Sequence, residues 1–188
     1  MSVRTFVDEH YRHFNAGTLG RAARSLNGFL EEGGQVFVTL AGAMSTAEIG
    51  RTLAEMIRAG HVAAISCTGA NLEEDLFNLV AHDAYVSIPS PENLSPEDEA
   101  NLFERRLNRV TDVCIPEEEA IRVIEQELMK LWTDAQAADE SLLPHLHLYR
   151  LLTSGSLATS FQSNPKHSWL LAAAEPVSYT HLRAHETL

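Results

Sequence analysis

Two stretches decide the fold: Gln35-Val36-Phe37-Val38-Thr39-Leu40 and His61-Val62-Ala63-Ala64-Ile65-Ser66-Cys67-Thr68. Both are short apolar runs, and glycine (Gly42, Gly69) soon follows each of them. Such runs read as buried strands, the kind that parallel sheets contain. Between them, Ser45-x-x-Glu48 is a capping-box pattern. Ile49, Leu53, Met56 and Ile57 then repeat at helical spacing until Gly60. After the second run, Asn71 stands where it can cap a helix carrying Leu72, Leu76, Leu79 and Val80 on one side. Strand, helix, strand, helix with short connections predicts parallel strands joined by right-handed crossovers, hence a doubly wound α/β sheet.

Upstream, Thr18 can cap a helix with Leu19, Ala22, Ala23, Leu26 and Leu30 at helical spacing, and Gly33-Gly34 ends it. Downstream, Tyr85-Val86-Ser87-Ile88 reads as a short extended stretch before Pro89-Ser90-Pro91, and helical material is expected beyond it. Ser95-Pro96-Glu97-Asp98 combines a cap, a first-turn proline and early acidic residues. Pro116-Glu117-Glu118-Glu119 opens a helix whose buried stripe is Ala120, Ile121, Ile124, Leu128 and Leu131. A further helix is expected over residues 144–152, and Ser168-Trp169-Leu170-Leu171 begins one more. Residues 178–188 have no sustained apolar period. The expected division is therefore one domain over 1–175 and a non-native, poorly packed tail over 176–188.

Composition narrows the function classes. The 188 residues are 45% hydrophobic and 21% charged, within the range of globular proteins, and suffice for one ordinary domain. A net charge of −12 argues against a general binder of nucleic acid or anionic membrane and suits a cationic ligand, although acidity also serves solubility alone. No apolar run reaches membrane-span length, and residues 1–9 lack a signal-peptide core, so a soluble, cytoplasmic protein is expected. Cys67 and Cys114 make neither a disulfide framework nor a zinc site, and Cys67, inside an apolar strand, reads as an inert core residue. His10-x-x-His13, His145-x-His147 and His181-x-x-x-His185 each look like half a metal site without a companion, so no metal is expected.

In open parallel sheets, ligands bind beyond the carboxyl ends of strands. Two segments lie there: Ala41-Gly42-Ala43-Met44-Ser45-Thr46 and Thr68-Gly69-Ala70-Asn71-Leu72-Glu73-Glu74-Asp75. Glycine admits a ligand close to the backbone, and a helix start offers free amides to a phosphate. Strand-ending glycines are more often purely structural residues, and there is no G-x-G-x-x-G. Glu73 and Glu74 have two readings as well, as stabilisers of the helix dipole or as holders of an ammonium group.

The runs Gly42-Ala43-Met44-Ser45-Thr46-Ala47-Glu48, Ser66-Cys67-Thr68-Gly69-Ala70-Asn71-Leu72-Glu73-Glu74-Asp75 and Asn108-Arg109-Val110-Thr111-Asp112 with Ile115-Pro116 resemble deoxyhypusine synthases of the bacterial branch, from about Phe6 to Glu175. The resemblance implies a Rossmann-like fold that binds NAD and assembles as a homotetramer with sites between subunits. It also implies a reaction. NAD accepts hydride from spermidine, diaminopropane leaves, an active-site lysine carries the aminobutyl group as an imine, and an acceptor amine takes it. Eukaryotic members read Ser-Asn-Leu-Ile-Ser and Thr-Ala-Gly-Gly-Val-Glu-Glu-Asp in the two segments. Thr68, Glu73, Glu74 and Asp75 match that pattern, whereas Gly42, Ala43, Met44, Ser45 and Thr46 depart from it. By resemblance, Gly42, Ala43, Met44, Ser45, Thr46, Thr68, Gly69 and Ala70 would bind NAD, and Glu73 and Glu74 would bind spermidine. The acceptor is either a protein lysine or putrescine, the latter giving homospermidine.

The family's catalytic lysine stands in a Trp-Gly-Lys context that this sequence lacks. Its two lysines are Lys130, with Glu125 and Glu127 nearby in sequence, and Lys166, which follows the turn signal Asn164-Pro165. The chain is therefore expected to be inactive by itself, with a non-enzymatic folding or oligomer-interaction fragment as the competing reading.

Overall fold

The strand at residues 61–68 forms as β2 (Val62–Cys67), and Val62, Ile65 and Cys67 are buried along it. The computed structural model describes residues 1–175 and the backbone of 181–184. β1 (Val36–Thr39) lies beside β2, and the Leu40 amide donates to the Ser66 carbonyl at 2.9 Å. On its other side β2 pairs in parallel with β6 (His181–Ala184), from Ala64 opposite His181 to Cys67 opposite Ala184. A strand was not expected in the last residues, so that part of the sequence reading is corrected. Burial of Leu182 and Leu188, and all structure at 176–180 and 185–188, lie outside the described residues.

The chain divides into two units, residues 1–36 and 37–188. In the first, α1 (Val3–His10) and α2 (Phe14–Glu31) are joined by an Arg24–Asp8 ion pair at 2.8 Å. α2 starts four residues before Thr18, whose hydroxyl bonds back to the Phe14 carbonyl instead of capping. The helix ends as expected: Gly33 takes a left-handed φ of 86°, and the Gly34 amide reaches back to the Phe29 carbonyl.

In the second unit, α3 (Gly50–Arg58) and α4 (Gly69–Ala81) follow the strand-end segments, completing the α/β order read from the sequence. α3 packs on α8 (Trp169–Ala174). Gly50 makes the approach possible, because a Cβ there would lie 2.3 Å from the His167 carbonyl oxygen. α5 (Pro96–Glu104) has the anticipated box: Ser95 Oγ accepts from the Asp98 amide while Asp98 Oδ2 accepts from the Ser95 amide. α6 (Arg122–Ala137) is entered through a wide π turn at Glu117–Ile121, and it buries Ile124 and Leu128. α7 (Pro144–Thr153) buries Leu148, Leu151 and Leu152.

Three expectations give way. First, β1 is half exposed, with Phe37 62% accessible, because among the described residues it is an edge strand. Second, the region after residue 95 is not all helix. β4 (Leu107–Val110) and β5 (Val113–Pro116) form a hairpin, and with β3 (Val86–Ser87) they make a separate antiparallel sheet ordered β3-β5-β4. Its turn is the pair Thr111-Asp112, with Thr111 left-handed at φ 53°. Third, neither Ser45 nor Asn71 caps a helix. α3 begins after Ile49, and α4 begins at Gly69 with Thr68 at the cap position, which leaves both side chains free for other partners.

Candidate functional site

The chain leaves β1 into a series of turns over residues 42–49 before α3 starts. Ala43 and Glu48 are both left-handed there, at φ 63° and 58°, a conformation disfavoured without glycine. Surrounding bonds hold the turn. The Ser45 amide donates to Asn71 Oδ1 at 3.1 Å, and the Ser45 hydroxyl donates to the Asn71 carbonyl at 2.6 Å. Asn71 Nδ2 donates to the Ala41 carbonyl at 2.7 Å and to Thr68 Oγ1 at 3.0 Å. Trp169 Nε1, from α8, donates to Ser45 Oγ at 2.9 Å. Asn71 and Trp169 are wholly buried, and Ser45 nearly so.

This network brings the 41–46 segment against the start of α4, so the two strand-end segments singled out in the sequence are neighbours. Within them the residues differ. Gly42 and Gly69 face open space, where an added Cβ would meet nothing within 4 Å, and Ala70 is exposed. Ala43 and Met44 are half-buried, whereas Ser45 and Thr46 turn into the protein. Glu73 and Glu74 part company, with Glu73 exposed and Glu74 buried. The Thr46 amide donates to Glu74 Oε2 at 3.3 Å. Burial pushes the Glu74 carboxyl above the usual carboxylate range, and the Thr46 contacts offset only part of that.

The next residue of α4, Asp75, is buried and anchors α8. Its Oδ2 accepts from the Ser168 hydroxyl and from the Leu170 amide. Loss of solvation dominates over those bonds, so its pKa is pushed up to about 6. At the far end of α4, His82 Nε2 meets Glu48 Oε1 at 3.1 Å, and Glu48 Oε2 also accepts from Arg51 at 3.3 Å. Tyr85 stacks on His82, and burial followed by the charges of Glu74, Asp75 and Glu48 raises the pKa of its phenol. Ser168 and Trp169 carried no functional signal in the sequence. Asn71 lay in one of the strand-end segments, but its type and position suggested only a cap.

The remaining candidates stay apart from this region. His145 and His147 lie on α7 in edge contacts with Tyr149 and Trp132, and His10 contacts Phe6. Among the described residues no three His, Cys, Asp or Glu side chains gather as metal ligands. His185 lies outside the described residues. Cys67 and Cys114 are free and buried, and burial raises the Cys67 thiol to about 11. Lys130 is exposed and ion-paired with Glu127, and Lys166 is exposed in a short turn. Among the described residues no helix is long and apolar enough to cross a membrane.

An α/β unit with two glycine-bearing strand ends side by side belongs to the class of folds that bind ligands at strand carboxyl ends. Within that class, residues 8–176 match the family model for deoxyhypusine synthase, and the chain belongs to that family. It is 32% identical over 117 residues to the Archaeoglobus fulgidus protein named probable deoxyhypusine synthase 1, a match covering 60% of this chain and 35% of that protein. It is also 30% identical over 104 residues to a deoxyhypusine synthase-like protein of Cyanothece sp., covering 54% of this chain and 26% of that protein. The matches thus span about a third or less of the relatives' length. Family membership makes the chain part of a transferase family.

Proposed function

We propose that residues up to about 175 form the dinucleotide-side portion of an aminobutyl transferase of the deoxyhypusine or homospermidine synthase type. The reading covers a cytoplasmic homotetramer that uses spermidine, NAD and an acceptor amine, either a protein lysine or putrescine. The observation that carries it is the pairing of the two strand-end segments through Asn71, with the open glycines Gly42 and Gly69 beside the buried carboxylate of Glu74.

The residues present fit a dinucleotide. An open Gly42 and the exposed start of the 13-residue helix α4 at Gly69 and Ala70 let backbone approach a phosphate at the positive end of the helix dipole. Gly42, Ala43, Met44, Ser45, Thr46, Thr68, Gly69 and Ala70 would hold NAD, which when bound supplies the acceptor and later the donor of a hydride. In this reading Ser45 and Thr46 contribute by shaping the turn, since their side chains face inward and their amides are bonded to Asn71 and Glu74. Glu73 and Glu74 would hold the ammonium groups of spermidine. Glu74 does so from a desolvated position, where a charge-assisted bond is strongest.

The chain itself is proposed to be inactive. An imine-forming lysine needs a neutral amine, usually obtained by burial or by a neighbouring cation, and both Lys130 and Lys166 are exposed. The test has two parts. NAD titrated into the labelled chain should shift the amides of Gly42, Gly69 and Ala70; shifts elsewhere with these three still would refute the site. Incubation with NAD, spermidine and either acceptor should release no diaminopropane. Release that stops on replacing Lys130 or Lys166 would refute the inactivity.

A further inference from the structure

We infer that Asn71 is a positioning residue whose carboxamide clasps the two strand-end segments together and fixes their spacing before any ligand arrives. The inference deepens the dinucleotide-site reading and takes its functional meaning from it, while its geometry stands independently.

A carboxamide offers two donors and an acceptor on one rigid plane, and Asn71 uses all three. Its two N–H groups hold Ala41, where the chain leaves β1, and Thr68, where it leaves β2. Its oxygen takes the amide of Ser45 in the middle of the turn. Its backbone carbonyl takes the Ser45 hydroxyl, which in turn accepts from Trp169. One buried residue therefore ties together both strand ends, the turn and α8. No other residue type of this size does the same. Aspartate has acceptors only and adds a buried charge, while leucine keeps the volume and leaves the Ala41 carbonyl and Ser45 amide without partners.

The turn needs such a clasp. Ala43 and Glu48 sit in the left-handed region, and strained backbone of this kind persists only where its surroundings over-determine it. Gly42, next to Ala43, has open space around it, so packing against Gly42 does not supply the restraint. The bonds from Asn71 to Ala41 and Ser45 supply it on either side of Ala43, while His82 and Arg51 hold Glu48. A turn already fixed in shape spares a ligand the entropy of ordering it.

The test is amide exchange followed by NMR on the full 188-residue chain, with the amide of Ile65 in β2 as the global reference. In the unsubstituted chain the Ser45 amide should exchange nearly as slowly as Ile65. In Asn71→Ala its exchange should accelerate on the order of tenfold or more beyond any change at Ile65. Acceleration only in step with Ile65, or a Ser45 amide already as fast as an open loop, would overturn the clasp. Should Asn71→Ala fail to fold, Ser45→Ala decides. It removes the acceptor of the Trp169 indole, so the indole N–H should exchange roughly tenfold faster relative to Ile65, and no change would overturn the inference. A parallel NAD titration separates the two ideas. Weaker NAD binding by Asn71→Ala supports both, whereas NAD failing to bind the unsubstituted chain defeats the dinucleotide reading and leaves the exchange result to judge the clasp.

Discussion

Ser168 donates its hydroxyl proton to the buried carboxylate of Asp75, so a side chain from α4 secures the first turn of α8, 93 positions away. The Leu170 amide joins the same oxygen, which makes Asp75 an acceptor for groups that a helix start otherwise leaves unpaired. Its pKa of about 6, against an ordinary 3.8, means that folding favours the protonated form. The associated stability is fully present below pH 3.8 and is lost as pH rises to about 6. Asp75→Asn keeps the acceptor oxygen and removes the ionisation. Its advantage over the unsubstituted chain should therefore grow across that window and level off above it, reaching about 3 kcal/mol. Urea unfolding of both proteins from about pH 3.5 to about pH 7.5 measures the difference; a constant difference would show that Asp75 ionises in the fold at its ordinary pKa.

Gly50 and Gly42 should respond oppositely to the same change. At Gly50 a Cβ would stand 2.3 Å from the His167 carbonyl, and rigid backbone there cannot give way cheaply. Gly50→Ala should cost about 1–3 kcal/mol by overpacking the contact between α3 and the turn that precedes α8. At Gly42 the space is open, so Gly42→Ala should leave stability within about 0.5 kcal/mol and yet weaken NAD binding. Thermal unfolding and a binding titration on the pair of variants check both halves.

His82 and Glu48 form a weaker tie between the end of α4 and the turn. The hydrogen bond to Glu48 raises the imidazole pKa, so its contribution is present below the ordinary value near 6.5 and is lost as pH rises through the folded value. For Glu48, burial raises the carboxyl, but the bonds from His82 and Arg51 together outweigh it and lower the pKa, so that contribution is lost as pH falls below 4.5. Coupling in a His82→Gln, Glu48→Gln double-mutant cycle should peak between these limits at a few tenths of a kcal/mol, since both side chains are partly exposed. Equal coupling at alkaline pH would mean that the bond does not depend on charge.

Glu74→Gln addresses ligand choice. In a full-length relative carrying the same Glu-Glu-Asp run, the change should weaken spermidine binding more than NAD binding, because it removes a charge-assisted contact to an ammonium group. Equal weakening of both ligands would assign Glu74 to the support of Thr46 instead.

The strand–helix order from β1 to α4 was legible because long apolar runs and helical periods do not compete there. The hairpin at 107–116 was not. Asn108 and Arg109 interrupt its apolar pattern, and Thr111-Asp112 lacks the glycine that marks tight turns. The two strand-end segments were also legible, since topology alone places them together. The inward roles of Ser45 and Asn71 were hidden for a physical reason. Both residue types favour helix caps, and only a tertiary partner such as Trp169, distant in sequence, draws them away from that local role.

The bond between Trp169 and Ser45 spans 124 positions, which sets an order of events at the ribosome. β1, α3, β2 and α4 emerge early and carry their own apolar faces, so they can begin to associate while synthesis continues. The hydroxyl of Ser45 and the carboxylate of Asp75 meanwhile wait for residues 168–170. At typical translation speeds the delay is roughly 5–25 s, long compared with the folding of a helix or hairpin. The nascent sheet can thus exist with the turn over residues 42–49 unfinished until residues 168–170 leave the tunnel and complete it.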